Sequence, residues 1–243
     1  MKSILIIGAK SDIAKEVALV FAKNGYRLIL AGRDIKSLNS FAKHITITTS
    51  QEVILKEFDI VNFSSHEGFY KDLNETPTGT VIVSGYMEEQ KTCEDNWAKT
   101  LNTINVNYTG AVSILNIIAN HLEEKESGFI IGVSSVAGDR GRASNYIYGS
   151  AKAGFTAYLS GLRNRLASKN VHILTVKPGF VYTQMTKNLD LPAKLTAQPK
   201  DVAKDIYNAI EKKRNVLYTK SIWFVIMLII KLIPESIFKK LHI

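Results

Sequence analysis

The sequence predicts a doubly wound α/β fold with a parallel sheet of seven strands and helices on both faces. Short runs rich in Ile, Val and Leu alternate with longer segments whose apolar residues recur at helical spacing. Strands that are apolar throughout are typical of a parallel sheet covered on both faces, and right-handed crossovers place the helices there. At 243 residues, the chain is long enough to bury a sizeable core in one such domain.

Each strand and helix is predicted from the pattern of the residues that form it. The strands are predicted at the apolar runs 3–7, 27–31, 53–58, 80–84, 128–134, 172–177 and 216–218. The helices are predicted at the longer segments 12–24, 35–43, 64–74, 96–124, 148–168 and 199–212. Gly25 and Asn170 lie where two helices should end, because both residue types tolerate the left-handed backbone of a helix terminus. No repeat or linker interrupts residues 1–220, so we expect one domain there and a helical extension over residues 221–243.

The composition is typical of a globular protein in a reducing compartment. Hydrophobic residues make up 46% and charged residues 22% of the chain, and the single cysteine, Cys93, cannot form an internal disulfide. The apolar run at 4–7 is too short for the hydrophobic region of a signal peptide, so we interpret it as the first strand and expect no cleaved segment. These features predict a cytoplasmic location.

The net charge of +9 is concentrated near the C-terminus. Residues 211–243 hold seven Lys or Arg against two acidic residues. A basic segment is typical of proteins that bind nucleic acid, a membrane surface or an anionic substrate. Because this segment is also strongly apolar, it favours the membrane surface over nucleic acid.

The turn after the first strand has features of a phosphate-binding loop. Gly8 ends the strand, and a helix is predicted to start near Ser11 and Asp12. A glycine lets the backbone approach a phosphate group, and a helix N-terminus offers free N–H groups and the positive end of its dipole. The alternative is a simple helix cap by Ser11 or Asp12.

A cation, Arg33, follows the second strand. At this point of a dinucleotide-binding fold an acidic residue would bond the 2′-hydroxyl of the adenosine ribose, whereas an arginine can pair with a 2′-phosphate. Arg33 therefore favours NADP(H) over NAD(H), the alternative being a solvated side chain at a strand end. We predict that the next residue, Asp34, caps the following helix.

A tyrosine and a lysine form the candidate catalytic pair. Tyr148 and Lys152 lie four residues apart at a predicted helix start, which places them on one helix face. In a chain with ten tyrosines such a pair is expected by chance, so other residues must indicate whether this pair is catalytic. Ser135 stands at the carboxyl end of a buried strand, where parallel α/β sheets place their ligands. Asn107 is a polar residue inside a long apolar helix, which fits a functional amide, a core asparagine that bonds backbone groups, or both together.

With a Pro-Gly turn and a threonine after the sixth strand, these residues stand in the order and spacing of a known family. Residues 1–220 resemble the single-domain branch of the short-chain dehydrogenase/reductase family. The resemblance implies a Rossmann-type fold and an oxidoreductase that interconverts a ketone and a secondary alcohol. It implies that Tyr148 is the general acid or base and that Lys152 lowers the pKa of Tyr148 and holds the nicotinamide ribose. It also implies that Ser135 bonds the substrate oxygen and that Asn107 supports a proton-relay water.

The same resemblance implies the cofactor contacts and shows where the chain departs from the family. The implied cofactor-binding residues are Gly8, Lys10, Ser11, Asp12, Ile13, Arg33, Asp59, Ile60, Gly85, Tyr148, Lys152, Pro178, Gly179, Val181 and Thr183, and no metal is implied. Asp12 and Ala14 stand where the family has glycines, and the segment 82–85 replaces its usual Asn-Asn-Ala-Gly. The intact catalytic set favours an enzyme over the alternative, a cofactor-binding regulatory or scaffold protein with little turnover.

The tail at 221–243 is apolar and basic, and Pro234 interrupts it. A bilayer span needs about 20 apolar residues, and this segment is too short for that. It could lie in a membrane interface with Trp223 and its lysines at headgroup level, or it could cover the cleft or form a subunit interface. The tail also resembles that of decaprenylphosphoryl-2-keto-ribose-type reductases, which implies a lipid-linked or sugar substrate. The family resemblance further implies a homodimer or homotetramer.

Overall fold

The computed structural model describes residues 2–241 and confirms the parallel α/β fold. The strands are β1 (Ser3–Ile7), β2 (Arg27–Gly32), β3 (Val53–Glu57), β4 (Gly79–Ile82), β5 (Gly128–Val133), β6 (Val171–Pro178), β7 (Phe180–Val181), β8 (Thr196–Ala197) and β9 (Val216–Thr219). The helices are α1 (Asp12–Lys23), α2 (Asn39–Thr49), α3 (His66–Lys71), α4 (Gln90–Asp95), α5 (Trp97–Ile104), α6 (Gly110–Lys125), α7 (Tyr146–Leu166), α8 (Pro199–Glu211), α9 (Ile222–Leu232) and α10 (Glu235–Phe238).

Seven strands form one sheet in the order β3-β2-β1-β4-β5-β6-β9, and every neighbouring pair is parallel. The chain winds outward from β1 to β3, returns to β4 beside β1, and then winds the other way. The direction therefore reverses between β1 and β4. In such sheets ligands bind in the crevice outside the carboxyl ends of the strands at this point.

Two apolar clusters cover the two faces of the sheet, because successive side chains of a strand point to opposite faces. In β1, Ile4 and Ile6 belong to one cluster, and Leu5 and Ile7 belong to the other. All four are fully buried, which explains why the strand is apolar throughout. The two layers fix the strands, and hence the loops at their carboxyl ends.

The long helix predicted at 96–124 is divided into three parts. A π-helical turn at Asn105–Thr109 separates α5 from α6, and Asn107 lies inside it. Gly110 follows this turn and packs closely against the backbone of Ile60, since an added Cβ would lie 2.2 Å from the Ile60 carbonyl oxygen. Sequence periodicity does not reveal such a turn, because one extra residue shifts the pattern by only a quarter of a helical turn.

Other boundaries also differ from prediction. Helix α2 continues to Thr49, beyond the predicted end at residue 43, and the hydroxyls of Thr46 and Thr49 bond carbonyls one turn back. The prediction that Asp34 caps the next helix was wrong: its backbone is left-handed, and its side chain makes no cap hydrogen bond. Gly25 and Asn170 do have positive φ at helix ends, as predicted.

The C-terminal tail is helical, as expected, and packs beside the carboxyl ends of β6 and β9. Trp223 is buried, and its indole N–H donates to the carbonyl oxygen of Leu195 at 3.0 Å. Arg140 donates to the carbonyl oxygens of Ile230 and Ile233, each at 2.6 Å, and its guanidinium lies over the ring of Phe238. No helix within residues 2–241 is long and apolar enough to cross a membrane.

Candidate active site

A cleft of about 550 Å³ opens at the carboxyl ends of the central strands, at the reversal of strand order. It brings together every predicted site residue except Asn107, although those residues come from six separate strand ends and two helices. The predicted residues that line it are Gly8, Lys10, Ser11, Asp12, Ile13, Arg33, Asp59, Ile60, Gly85, Ser135, Tyr148, Lys152, Pro178, Gly179, Val181 and Thr183.

The turn between β1 and α1 is shaped by Gly8. Its φ is +84°, and an added Cβ would lie 2.8 Å from the backbone nitrogen of Ser84. Only glycine meets both constraints without strain. Ser11 is the helix cap, accepting from the backbone N–H of Ala14 at 3.1 Å, so the capping alternative is confirmed for Ser11. Asp12 instead accepts from the backbone N–H of Gln184 at 2.8 Å, which joins this turn to the opposite wall.

The loop after β2 presents positive charge to the cleft. Arg33 is exposed and lines the cleft, and no carboxylate within residues 2–241 forms an ion pair with it. Lys10 pairs with Asp34 at 2.9 Å, and this pairing lowers the pKa of Asp34. Glu57 holds the loop by accepting from the backbone N–H groups of Asp34 and Ile35 at 2.7 and 3.1 Å. The cation is thus placed by a fixed backbone.

The middle of the cleft is lined by the ends of β3 and β4. Asp59 lines the cleft, and one oxygen of its carboxylate accepts from the backbone N–H of Val61 at 3.2 Å. Ile60 is 8% exposed and provides an apolar wall. At Gly85 an added Cβ would lie 3.4 Å from the methyl carbon of Met185, so these two residues approach each other closely and the cleft is narrow between them.

Asn107 lies behind the cleft, and the interpretation as a core asparagine is confirmed. It is 1% exposed, and its amide donates to the carbonyl oxygens of Tyr86 and Thr103 at 2.6 and 2.8 Å. Its carbonyl oxygen accepts from the backbone N–H of Tyr86 at 3.4 Å. The Asn107 side chain therefore holds the backbone of Tyr86, the residue that follows the cleft-lining Gly85. The π turn is what points this amide inward.

Ser135, Tyr148 and Lys152 meet at the end of β5. Ser135 lies just after that strand, and its hydroxyl accepts from the backbone N–H of Ala137 at 3.1 Å. The Lys152 ammonium is buried, donates to the carbonyl oxygen of Val133 at 3.1 Å and lies 5.8 Å from the centre of the Tyr148 ring. The loop after Ser135 is fastened by Asp139, which accepts from both Lys177 and Tyr218.

Burial dominates the protonation of the catalytic pair. It raises the pKa of Tyr148 to about 12, and the neighbouring Ser135 hydroxyl opposes the rise. It lowers the pKa of Lys152 to about 8, because a buried ammonium loses its hydration. The Lys152 ammonium is bonded to the Val133 carbonyl oxygen. The expected lowering of the Tyr148 pKa by this ammonium stays a prediction.

The segment after β6 forms the wall opposite α1. At Gly179 an added Cβ would lie 1.9 Å from the indole nitrogen of Trp223, so this glycine is required by the tail as well as by the cleft. Val181 pairs with Ala197 in a small two-stranded sheet that the sequence did not predict. Thr183 caps the short turn that follows, in a reciprocal arrangement with Thr186.

Sequence reasoning missed several lining residues, above all Arg142 and Asn145. Both lie in the loop between β5 and α7, and each has a buried polar atom without a hydrogen-bond partner. Neither belongs to a pattern of apolar spacing, so no sequence signal separates them from an ordinary polar loop. Met185 and Leu189 also line the cleft and give it an apolar wall.

Comparison with known proteins agrees with this geometry. The model of a family described as short chain dehydrogenase matches residues 2–193. The chain belongs to the short-chain dehydrogenase family. An uncharacterized oxidoreductase of Mycobacterium tuberculosis is 29% identical over 241 residues, which are 98% of this chain and 96% of that protein.

Solved structures of the family share the fold. A short-chain dehydrogenase from Sphingobium yanoikuyae in complex with NADPH matches with a TM-score of 0.83 and 18% identity, over 97% of this chain and 98% of that one. A bulky-bulky ketone specific alcohol dehydrogenase from Comamonas testosteroni matches with a TM-score of 0.81 and 18% identity, over 97% and 96%. Family membership makes this short-chain dehydrogenase an NAD(P)-dependent oxidoreductase.

Proposed function

We propose that this protein is an NADP(H)-dependent oxidoreductase that interconverts a ketone and a secondary alcohol, with Tyr148 as the general acid and base. The observation that carries the proposal is the meeting of Ser135, Tyr148 and Lys152 at one end of a cleft at the reversal of strand order. When bound, the nicotinamide supplies or accepts the hydride. The side chains provide orientation and proton transfer.

The roles of the catalytic side chains follow from their bonding. The Ser135 hydroxyl lies in the cleft and can donate to a carbonyl oxygen placed there. Burial keeps the Tyr148 phenol protonated at neutral pH, which suits transfer of its proton to the same oxygen during reduction. Lys152 supplies a nearby cation, and Asn107 holds the backbone beyond Gly85 that shapes the site.

The residues present fit a dinucleotide along the rest of the cleft. Gly8 forms the tight turn after β1, and the N-terminus of α1 that follows it offers N–H groups to a phosphate group. Arg33 and Lys10 place positive charge where the adenosine ribose of this fold lies, which supports NADP(H) over NAD(H). Asp59 and Ile60 would flank the adenine. The ribose and carboxamide of the nicotinamide would be held by Lys152, by Val181 and Thr183, and by the turn at 178–179.

The substrate wall is largely apolar. Phe180, Met185 and Leu189 line the cleft beyond the catalytic residues. Phe180 also contacts the tail, with its ring edge-to-face with Trp223 at 5.2 Å between centroids. An apolar wall that continues into an apolar tail supports a substrate with a hydrophobic portion, in line with a lipid-linked compound.

We also propose that the tail beyond residue 220 is a separate functional unit that docks on an anionic membrane surface. The outer face of α9 exposes Phe224 by 54%, Ile229 by 60% and Leu232 by 72%. Exposed lysines at 231, 239 and 240 border this face, and an interfacial helix needs such an apolar face with basic flanks. A symmetric pair of copies joined through this face would bring those lysines together, so charge favours the membrane over a second copy.

Flotation with vesicles tests the tail. We expect the protein to float with phosphatidylcholine vesicles that contain about 30% phosphatidylglycerol, and Ile229→Glu to stay in the soluble fraction. Ile47→Glu is the matched control, because Ile47 is 81% exposed on the distant helix α2. Equal flotation of both variants would contradict membrane docking. Sedimentation of the same samples without lipid measures the homodimer or homotetramer that we expect.

A panel of carbonyl compounds tests the proposed reaction. We expect NADPH oxidation with ketones that have a bulky apolar substituent, together with weaker or no oxidation of NADH. Ketones are paired with their alcohols, so that oxidation with NADP⁺ measures the reverse direction. Binding of NADPH without turnover of any ketone or alcohol would overturn the proposal and favour a cofactor-binding regulatory or scaffold protein.

A further inference from the structure

Two polar atoms in one corner of the cleft are buried without a partner. They are Nε of Arg142 and Oδ1 of Asn145, and both residues line the cleft on the side of Tyr148. Four other buried side-chain atoms within residues 2–241 also lack a partner, but none of them belongs to a residue that lines the cleft. Because unpaired buried polar groups are costly, a pair of them in a binding cleft points to a ligand.

The arginines of the chain differ in how their charge is satisfied. Arg140 and Arg163 donate to backbone carbonyls, and Arg27 and Arg165 pair with glutamates. Arg142 forms no ion pair with any residue between 2 and 241, and burial alone lowers its pKa, with no carboxylate acting against it. A guanidinium that stays half-buried without a carboxylate is stabilised when an anion enters the cleft.

The cofactor does not account for this charge. Arg33 follows β2 and Arg142 follows β5, and β1 and β4 lie between those strands in the sheet. Three steps between neighbouring strands separate β2 from β5 by about 14 Å across the sheet. The positive charge near β2 fits the adenosine end of NADP(H). The positive charge beyond β5 lies six residues before Tyr148, on the side where the substrate meets the catalytic groups.

Resting on the function proposed above, we infer that the substrate carries an anionic group, a phosphate or a carboxylate, which Arg142 binds. Its planar guanidinium matches either group with two parallel hydrogen bonds. Asn145 accepts a hydrogen bond from a neighbouring hydroxyl of the substrate, because its Oδ1 is not used as the cap of α7. The positive dipole end of α7 adds to the attraction. The substrate class is therefore an anionic ketone or alcohol with an apolar portion.

Matched substrate pairs test the inference with NADPH at saturation. The pairs are a keto acid with its methyl ester and a ketose phosphate with its free ketose. We expect the anionic member to have the higher kcat/KM by about tenfold or more, mainly through KM, and Arg142→Gln to remove this ratio. Arg142→Lys should restore part of it. Arg165→Gln is the control, because Arg165 pairs with Glu123 on the surface and should leave the ratio unchanged.

The outcomes separate the inference from the reaction. Equal kcat/KM for both members of each pair, or a ratio that survives in Arg142→Gln, would overturn the inference and leave the reaction standing. If no ketone is reduced, the proposed reaction is contradicted, and calorimetry then tests the anion site independently of turnover. Inorganic phosphate and acetate are titrated separately into the NADPH-bound protein, which also identifies the preferred anion. We expect at least one of the two anions to bind, and its dissociation constant to rise about tenfold in Arg142→Gln. Equal affinity of the wild type and the variant would contradict the inference.

Discussion

The two halves of the cleft differ in how their charged side chains are held. At the end of β5, Lys152 is 3% exposed and bonded to a backbone carbonyl, and the loop after Ser135 is fixed by Asp139. At the end of β2, Arg33 is exposed, while the backbone that carries it is held by Glu57. On the proposed function, the buried half would position the reacting groups, and the exposed half would supply a charge that selects a ligand. Substitutions in the two halves should therefore affect different quantities.

The largest effect should follow from the buried half. Ser135→Ala removes the hydroxyl that is proposed to bond the substrate oxygen, and we expect kcat/KM to fall on the order of 10²–10³-fold. The dissociation constant of NADPH should not change, because the phosphate and ribose contacts lie elsewhere. Ser150→Ala is the control, since the Ser150 hydroxyl donates to the Ile147 carbonyl on the exposed face of α7. A loss of NADPH affinity in Ser135→Ala would show that the halves are not separate.

Burial of Lys152 predicts a pH-dependent stability. Its pKa of about 8 in the folded protein lies below the ordinary 10.5, so the unfolded chain binds more protons between these values. The stability contributed by Lys152 is therefore lost as the pH falls through about 8 and is fully present above 10.5. Relative to Lys152→Met, the wild type should gain about 2 kcal/mol of unfolding free energy from about pH 7.5 to about pH 10. Urea unfolding of both proteins at both pH values measures this change, and a constant difference would contradict it.

A smaller effect is expected in the exposed half. Arg33→Ser should weaken NADPH binding by about tenfold, because one charge-assisted contact to the 2′-phosphate is lost. NADH binding should stay unchanged, since NADH lacks that phosphate. Lys36→Ser, which removes another exposed cation from the same loop region, is the control. Fluorescence titration with both cofactors measures the ratio, and equal losses for NADPH and NADH would refute the selective role of Arg33.

The sequence predicted the elements and most of the cleft, because these depend on local pattern. Apolar strands that end in Gly8, Arg33 or Ser135 determine which side chains meet at one edge of the sheet. It did not predict the π turn around Asn107 or the half-buried polar corner at Arg142, because these depend on packing between distant segments. The pKa shifts of Tyr148 and Lys152 were not predicted either, because they depend on how deeply the folded chain buries each side chain.

The central claim is that Tyr148 transfers the proton while the opposite half of the cleft holds the adenosine end of the cofactor. The most direct test compares Tyr148→Phe with the wild type for both turnover and NADPH affinity, with Tyr146→Phe as control on the same helix. We expect Tyr148→Phe to lose on the order of 10²–10⁴-fold in kcat with an unchanged dissociation constant for NADPH. Turnover of Tyr148→Phe at the wild-type rate would contradict the account.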